Sequence, residues 1–275
     1  MSDATDLVYK TIDEQNAGAS AATRRQLMGA AAATIGGLGM LGLVDSAAAK
    51  PSARARAANF PTDNTPENIL TVAATAEVLA TIVNTVGWER GLGGDRKTQR
   101  NIKAAAGEEL IHYRVLTETL GAKPVTKKIW VPDAVFSNRK AFLSTLEVGD
   151  QIFCNAYLIG VAAFGYAALG LQATVAAEFM GVEAVHRALA RQSLGKLGND
   201  RVFIKSDRVE TAPGAPNRGQ PGFENIFGAV EQLQGAGFGF GAKGATPGRY
   251  FEFDKVSERT PFDRDLNTTT PDPVG

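Results

Sequence analysis

The chain has 275 residues, more than one average domain and short for two, which suggests one main core with appendages. Its 29 Lys and Arg balance 29 Asp and Glu, so no overall field recruits nucleic acid or an anionic membrane surface, and nucleic-acid binding leaves the leading readings. The single cysteine, Cys154, excludes an internal disulfide, and its apolar surroundings mark it as a small buried hydrophobe.

Residues 1–22 are polar and lead into Thr23-Arg24-Arg25-Gln26-Leu27-Met28. An uncharged Ala- and Gly-rich stretch follows over 26–44, then Asp45-Ser46-Ala47-Ala48-Ala49. This pattern resembles a twin-arginine export signal with a small-x-small cleavage site before Lys50, with Leu27 standing where Phe is commoner. The resemblance implies that residues 1–49 are an address read by the twin-arginine export machinery through Arg24 and Arg25. It also implies a folded protein, with any metal seated, delivered to the periplasm or another extracytoplasmic compartment. The alternative is a retained membrane anchor, against which Gly36, Gly37 and Gly39 interrupt the apolar run. Residues 50–64, with Pro51 and Pro61, read as a linker.

Thr65-Pro66-Glu67 has the marks of a helix start: a capping hydroxyl, a proline suited to the first turn and an acid at the positive end of the dipole. The first helix is expected to run to about Arg90, where Gly91-Leu92-Gly93-Gly94-Asp95 stops it and caps a second helix reaching Gly121. Pro124 and Pro132 break the pattern, and Ser137-Asn138 opens a third helix toward Gly170. The uncharged run over 151–177 is long enough for a membrane helix. Asn155, Tyr157, Tyr166 and Gln172 interrupt it, so it reads as a helix buried in the bundle or in a homodimer interface. A fourth helix ends near Gly195 and Gly198. Hairpin, long crossover, hairpin over residues 65–198 predicts an all-α four-helix bundle. Residues 199–275 read as a loop-rich extension with one further helix near 223–234. The Gly-rich tract over 235–248 reads as a flexible loop, and the alternating residues from Arg249 to Asp254 as a short strand.

Both histidines follow a glutamate by three residues: Glu109-Leu110-Ile111-His112 and Glu183-Ala184-Val185-His186. On a helix that spacing puts carboxylate and imidazole on one face, within reach of a single ion. Glu77 lies 16 residues before Gly93 and Glu109 lies 16 after it, so the first hairpin sets them at one height. Glu77 is also embedded in an apolar run, where a lone carboxylate would be costly unless paired or metal-bound. Asp150 precedes Glu183 by 33 residues and Glu77 precedes Glu109 by 32, which predicts two near-equivalent half-sites.

With these motifs, residues 65–197 resemble the ferritin-like superfamily, in which two helices each supply one carboxylate and two others each supply Glu-x-x-His. Asn68-Ile69-Leu70 leading to Glu77, and Glu109 to His112 leading to Leu120-Gly121, are similar to an exported bacterial branch, some of it described as desiccation-related. That branch usually has Glu seven residues before a Tyr on the third helix. Here the count back from Tyr157 gives Asp150, with Glu147 one turn earlier as the alternate.

The resemblance implies a dimetal site of Glu77, Glu109, His112, Asp150 (or Glu147), Glu183 and His186. Two imidazoles and four carboxylates suit Fe or Mn better than zinc, which prefers fewer ligands. Two ions so held imply ferroxidase or peroxide-scavenging chemistry on dioxygen or peroxide, under oxidative or desiccation stress. Tyr113 and Tyr157 are candidate electron relays or plain packing residues. A non-catalytic structural or stress role, with Asp150 marking a weakened site, is the other reading.

Overall fold

The computed structural model describes residues 63–200, 202, 204–205 and 220–263. The expected export signal, most of the linker and the last twelve residues lie outside them. Helix α1 spans Pro66–Glu89 and α2 spans Arg96–Arg114, continued by a π-helical turn over Val115–Thr119. The crossover carries strand β1, Lys128–Pro132, and a 3-10 turn, Asp133–Phe136. Helix α3 spans Arg139–Tyr166 and α4 spans Gly170–Ser193. The C-terminal part adds β2 (Ile204–Lys205), β3 (Gln220–Pro221), α5 (Phe227–Gly235), β4 (Gly239–Phe240), β5 (Gly248–Glu252) and α6 (Phe253–Ser257).

Local chemistry sets the bundle helices' starts. Thr65, Asp95 and Asn138 have extended backbones, and their side-chain oxygens accept from the amides of Asn68, Thr98 and Ala141, which the first turn leaves without helical partners. Gly91, at φ +67°, ends α1 in the left-handed region where a side chain would be strained. The third helix ends four residues earlier than expected. Ala168, at φ 58°, makes the turn, and Gly170 opens α4 rather than closing α3. By length and composition α1 and α3 are apolar enough to cross a membrane. In α1, 83% of that apolar window is buried within the protein, as the middle of a bundle requires.

The core runs along α1 through Ile69, Val78 and Ile82 and meets Phe142 of α3 and Phe179 of α4. Hairpin α1–α2 and hairpin α3–α4 are joined by the long crossover, so the four helices form the expected bundle.

The crossover and the Gly-rich tract depart from expectation. β1 is the middle strand of a small sheet in the order β4-β1-β5, antiparallel throughout, with Ile129 opposite both Phe240 and Phe251. A second, parallel pair joins β2 and β3. Part of the tract expected to be a flexible loop is therefore ordered. Phe238 and Phe240 are buried, and the Trp130 indole N–H donates to the Thr246 carbonyl at 3.0 Å. A Cβ at Gly239 would lie 2.2 Å from the Ala242 carbonyl oxygen, so the close backbone approach needs glycine there. The expected strand near 249–254 exists as β5. It stops at Glu252 because Phe253 turns into the core and begins α6, a helix the alternating pattern did not suggest.

The C-terminal part is anchored on the bundle by polar contacts. Asn155 of α3, 2% exposed, donates to the Phe223 carbonyl and accepts from the Phe223 amide, both at 2.9 Å. Asn64 accepts from the Ile226 amide at 2.7 Å, and the hydroxyls of Thr85 and Thr260 meet at 2.9 Å. Asn155→Ala removes two hydrogen bonds and leaves the part-buried amide and carbonyl of Phe223 without these partners. It is expected to cost about 2–4 kcal/mol, read in thermal unfolding, and to speed proteolysis C-terminal to α4 ahead of the bundle.

Candidate metal centre

All four bundle helices contribute to one buried cluster at mid-height. Glu77 projects from α1, Glu109 and His112 from α2, Asp150 from α3, and Glu183 and His186 from α4. Glu77, Glu109 and Glu183 have no exposed surface, and His112, Asp150 and His186 have 2%, 6% and 8%. Their ligand atoms fall into two overlapping groups, each within 4.8 Å: Glu77, Glu109, His112 and Glu183, and Glu109, Asp150, Glu183 and His186.

Glu109 and Glu183 belong to both groups, and their oxygens divide between them. Glu109 turns one oxygen to His112 Nδ1 at 3.4 Å and the other to His186 Nδ1 at 3.2 Å. Glu183 does the same at 3.4 and 3.8 Å. Both rings thus present Nδ1 inward, as i, i+3 partners on one helix face should. The sequence left Asp150 and Glu147 as alternatives. Asp150 lies in the second group, while Glu147 turns away to pair with Arg191 and, at 2.5 Å, with Lys196.

Buried polar atoms almost always find a partner, so those that do not are informative. Among the described residues, Glu77 Oε2, Glu109 Oε2, both Glu183 oxygens, Asp150 Oδ2 and the Nδ1 atoms of His112 and His186 have no hydrogen-bond partner. They converge on the same space. Four carboxylates and two imidazoles facing one another could hold divalent cations, whose positive charge the carboxylates would offset.

Electrostatics carry the same message. Burial, then the neighbouring Glu109, pushes Glu77 well above the usual carboxylate range; burial, then Glu183, does the same to Asp150. Burial also opposes ionisation of Glu109, yet the imidazoles of His112 and His186 facing it outweigh burial and hold that carboxylate low. The imidazoles resist charging by burial, but the facing carboxylates prevail and raise both, led by Glu77 for His112 and Glu108 for His186. Without metal, protons compensate the cluster's negative charge.

A surrounding set of side chains orients these groups. Glu108 holds His186 Nε2 at 2.6 Å, leaving Nδ1 free to face the cluster. The Tyr157 hydroxyl donates to Glu77, and Asn84 donates to Glu109 at 3.4 Å. Phe179 stacks on the His112 ring at 3.9 Å. Neither Glu108 nor Asn84 was singled out from the sequence. The available signal was spacing: Asn84 follows Glu77 by seven residues, as Tyr157 follows Asp150, two helical turns along one face. The Tyr113 ring packs on Phe253, with centroids 4.3 Å apart. Cys154 is buried, and its desolvated thiol is pushed up, in keeping with a packing role.

A four-helix bundle with one long crossover and a carboxylate–histidine cluster at its centre is a ferritin-like architecture. Residues 65–196, a little under half of the chain, match the family model described as ferritin-like domain. No curated protein and no solved structure matches the chain.

Two outcomes follow. Because His112, His186, Glu77 and Asp150 all hold protons more tightly than their free counterparts, cations compete with protons for the cluster. Uptake of Fe or Mn should therefore weaken as pH falls from 7.5 to 5.5 and release protons on binding, read by calorimetry in buffers of different ionisation enthalpy. Glu108→Ala frees the His186 ring to turn and should weaken metal affinity about 10–100-fold, with Glu108→Gln losing less.

Proposed function

We propose that this is an exported dimetal carboxylate protein holding two Fe or Mn ions, and an oxidoreductase acting on dioxygen or peroxide in oxidative or desiccation stress. One observation carries the reading: two buried ligand groups share Glu109 and Glu183, each of which offers one oxygen to either side. A pair of Fe or Mn ions held by these residues would supply two electrons, the number that reduces dioxygen to hydrogen peroxide or hydrogen peroxide to water.

The chain's own residues do the rest. Glu109 and Glu183 hold the two positions at a fixed separation, while His112 with Glu77 and His186 with Asp150 complete the two ends. Burial excludes bulk water. Glu77 and Asp150 give up their protons as cations arrive, and the Tyr157 hydroxyl keeps one Glu77 oxygen in place. Export rests on the likeness of Arg24-Arg25 and the stretch behind them to a twin-arginine signal, which suits a protein loaded before it leaves the cytoplasm.

The test is elemental analysis of protein purified from its native exporter without added metal or chelator. About two Fe or Mn per chain are expected, with oxidation of ferrous iron by dioxygen or peroxide. His112→Ala/His186→Ala should keep its helical circular dichroism and lose both metal and turnover. A wild-type chain that stays near zero metal after anaerobic loading with ferrous and manganous ions would refute the reading.

A further inference from the structure

The α3–α4 hairpin carries no charged residue from Gln151 to Ala177, and burial inside the bundle accounts for only part of that stretch. In α1, 83% of the apolar window lies inside the protein, whereas in α3 the share is 50%. The outward remainder is ordered. Leu158, Ala162 and Tyr166 follow one another at four-residue spacing and form one ridge along α3, and all three are exposed, Leu158 by 39% and Tyr166 by 94%. A helix side that faces only solvent is normally polar or charged, so an uncharged ridge ending in a tyrosine almost wholly in water calls for a partner.

Beside the ridge lies a groove of about 600 Å³, lined along α3 by Leu158, Ile159, Ala162 and Ala163 and across from them by Asn64 and Glu224, with Tyr166 also at its border. The Asn64 side chain is already committed, donating to the Glu224 carbonyl at 2.6 Å and accepting from the Ile226 amide at 2.7 Å. Glu224 adds an exposed carboxylate. An apolar wall facing an acceptor suits an amphipathic ring such as a phenol, whose body is apolar and whose hydroxyl donates. One face of the protein thus carries both a protruding tyrosine and a groove of the kind that would hold one.

We propose that this face is a homodimer interface, with two α3 helices crossing about a two-fold axis at Ala162 and Tyr166 of each copy seated in the groove of the other. A two-fold contact uses the same patch on both copies, so the patch must be complementary to itself, and a ring beside a groove meets that condition. Residues near the axis face their own copies, where any charge would meet a like charge, and this ridge carries none. Ridges of four-residue spacing pack into one another's grooves at a steep crossing angle, and a small residue such as Ala162 at the crossing lets the axes approach closely. A lipid surface fits less well. No Lys or Arg lines the groove, and the exposed Asp63 and Glu224 beside Asn64 would meet anionic headgroups with the wrong sign.

The test is sedimentation of the mature protein at micromolar concentration, where a dimer is expected with or without bound metal. Tyr166→Lys and Ala162→Arg lie on the exposed ridge and touch no candidate ligand. Each should weaken the dimer about 100-fold or more while leaving helical circular dichroism and metal content unchanged. Ala162→Cys places a thiol at the axis and should form a disulfide-linked dimer with diamide, whereas Lys140→Cys, exposed at the other end of α3, should not, and the buried Cys154 should stay unreacted. A wild-type monomer, a dimer that survives both ridge substitutions, or an Ala162→Cys chain that fails to cross-link would overturn the proposal. So would a monomer that floats with phosphatidylglycerol vesicles and loses them on Tyr166→Lys, which would assign the face to lipid.

Discussion

Everything in the bundle answers to one constraint: six ionisable side chains meet in a space with almost no solvent. An isolated buried carboxylate would cost several kcal/mol, and four facing one another cost more, so the arrangement is tolerable only if positive charge sits among them. Protons on His112, His186, Glu77 and Asp150 meet part of that demand, and two dications would meet all of it. The unpartnered oxygens and Nδ1 atoms lie where cations could supply that charge.

The helices are built to hold that cluster still. Caps at Thr65, Asp95 and Asn138 fix where α1, α2 and α3 begin, and so fix the height at which each ligand arrives. Glu108, Asn84, Tyr157 and Phe179 then set the ligands' orientation. The crossover sheet and the C-terminal part lie over the bundle and pack on α1 and α3, with Asn155 and Asn64 replacing water on the backbone around Phe223 and Ile226. An extension that looked like an appendage in the sequence thus completes the wall beside Asp150.

The half-sites show how near-symmetry can be used. Matching carboxylates and matching Glu-x-x-His pairs form two similar ligand groups, with the large Tyr157 bonded to Glu77 and the smaller Asn84 lining a cavity together with Asp150. The difference lies in Tyr157 against Asn84, two residues that would bind no ion themselves.

By itself the sequence determined the four bundle helices, their caps and the ligand faces, because each depends on residues within a few turns of one another. The i, i+3 pairs and the equal distances of Glu77 and Glu109 from Gly93 are local regularities that a helix converts directly into position. Only the tertiary structure separated Asp150 from Glu147. Both sit on α3 about one turn apart, and the choice went to the one not captured by Arg191 and Lys196, which approach from another helix and the loop beyond it. The sheet was hidden for the same reason, since β1 pairs with strands more than a hundred residues away and a strand's partner is not written in its own residues. Glu108 as the support of His186, and the space left beside Asn84, likewise arise where distant segments meet, which spacing along one helix cannot report.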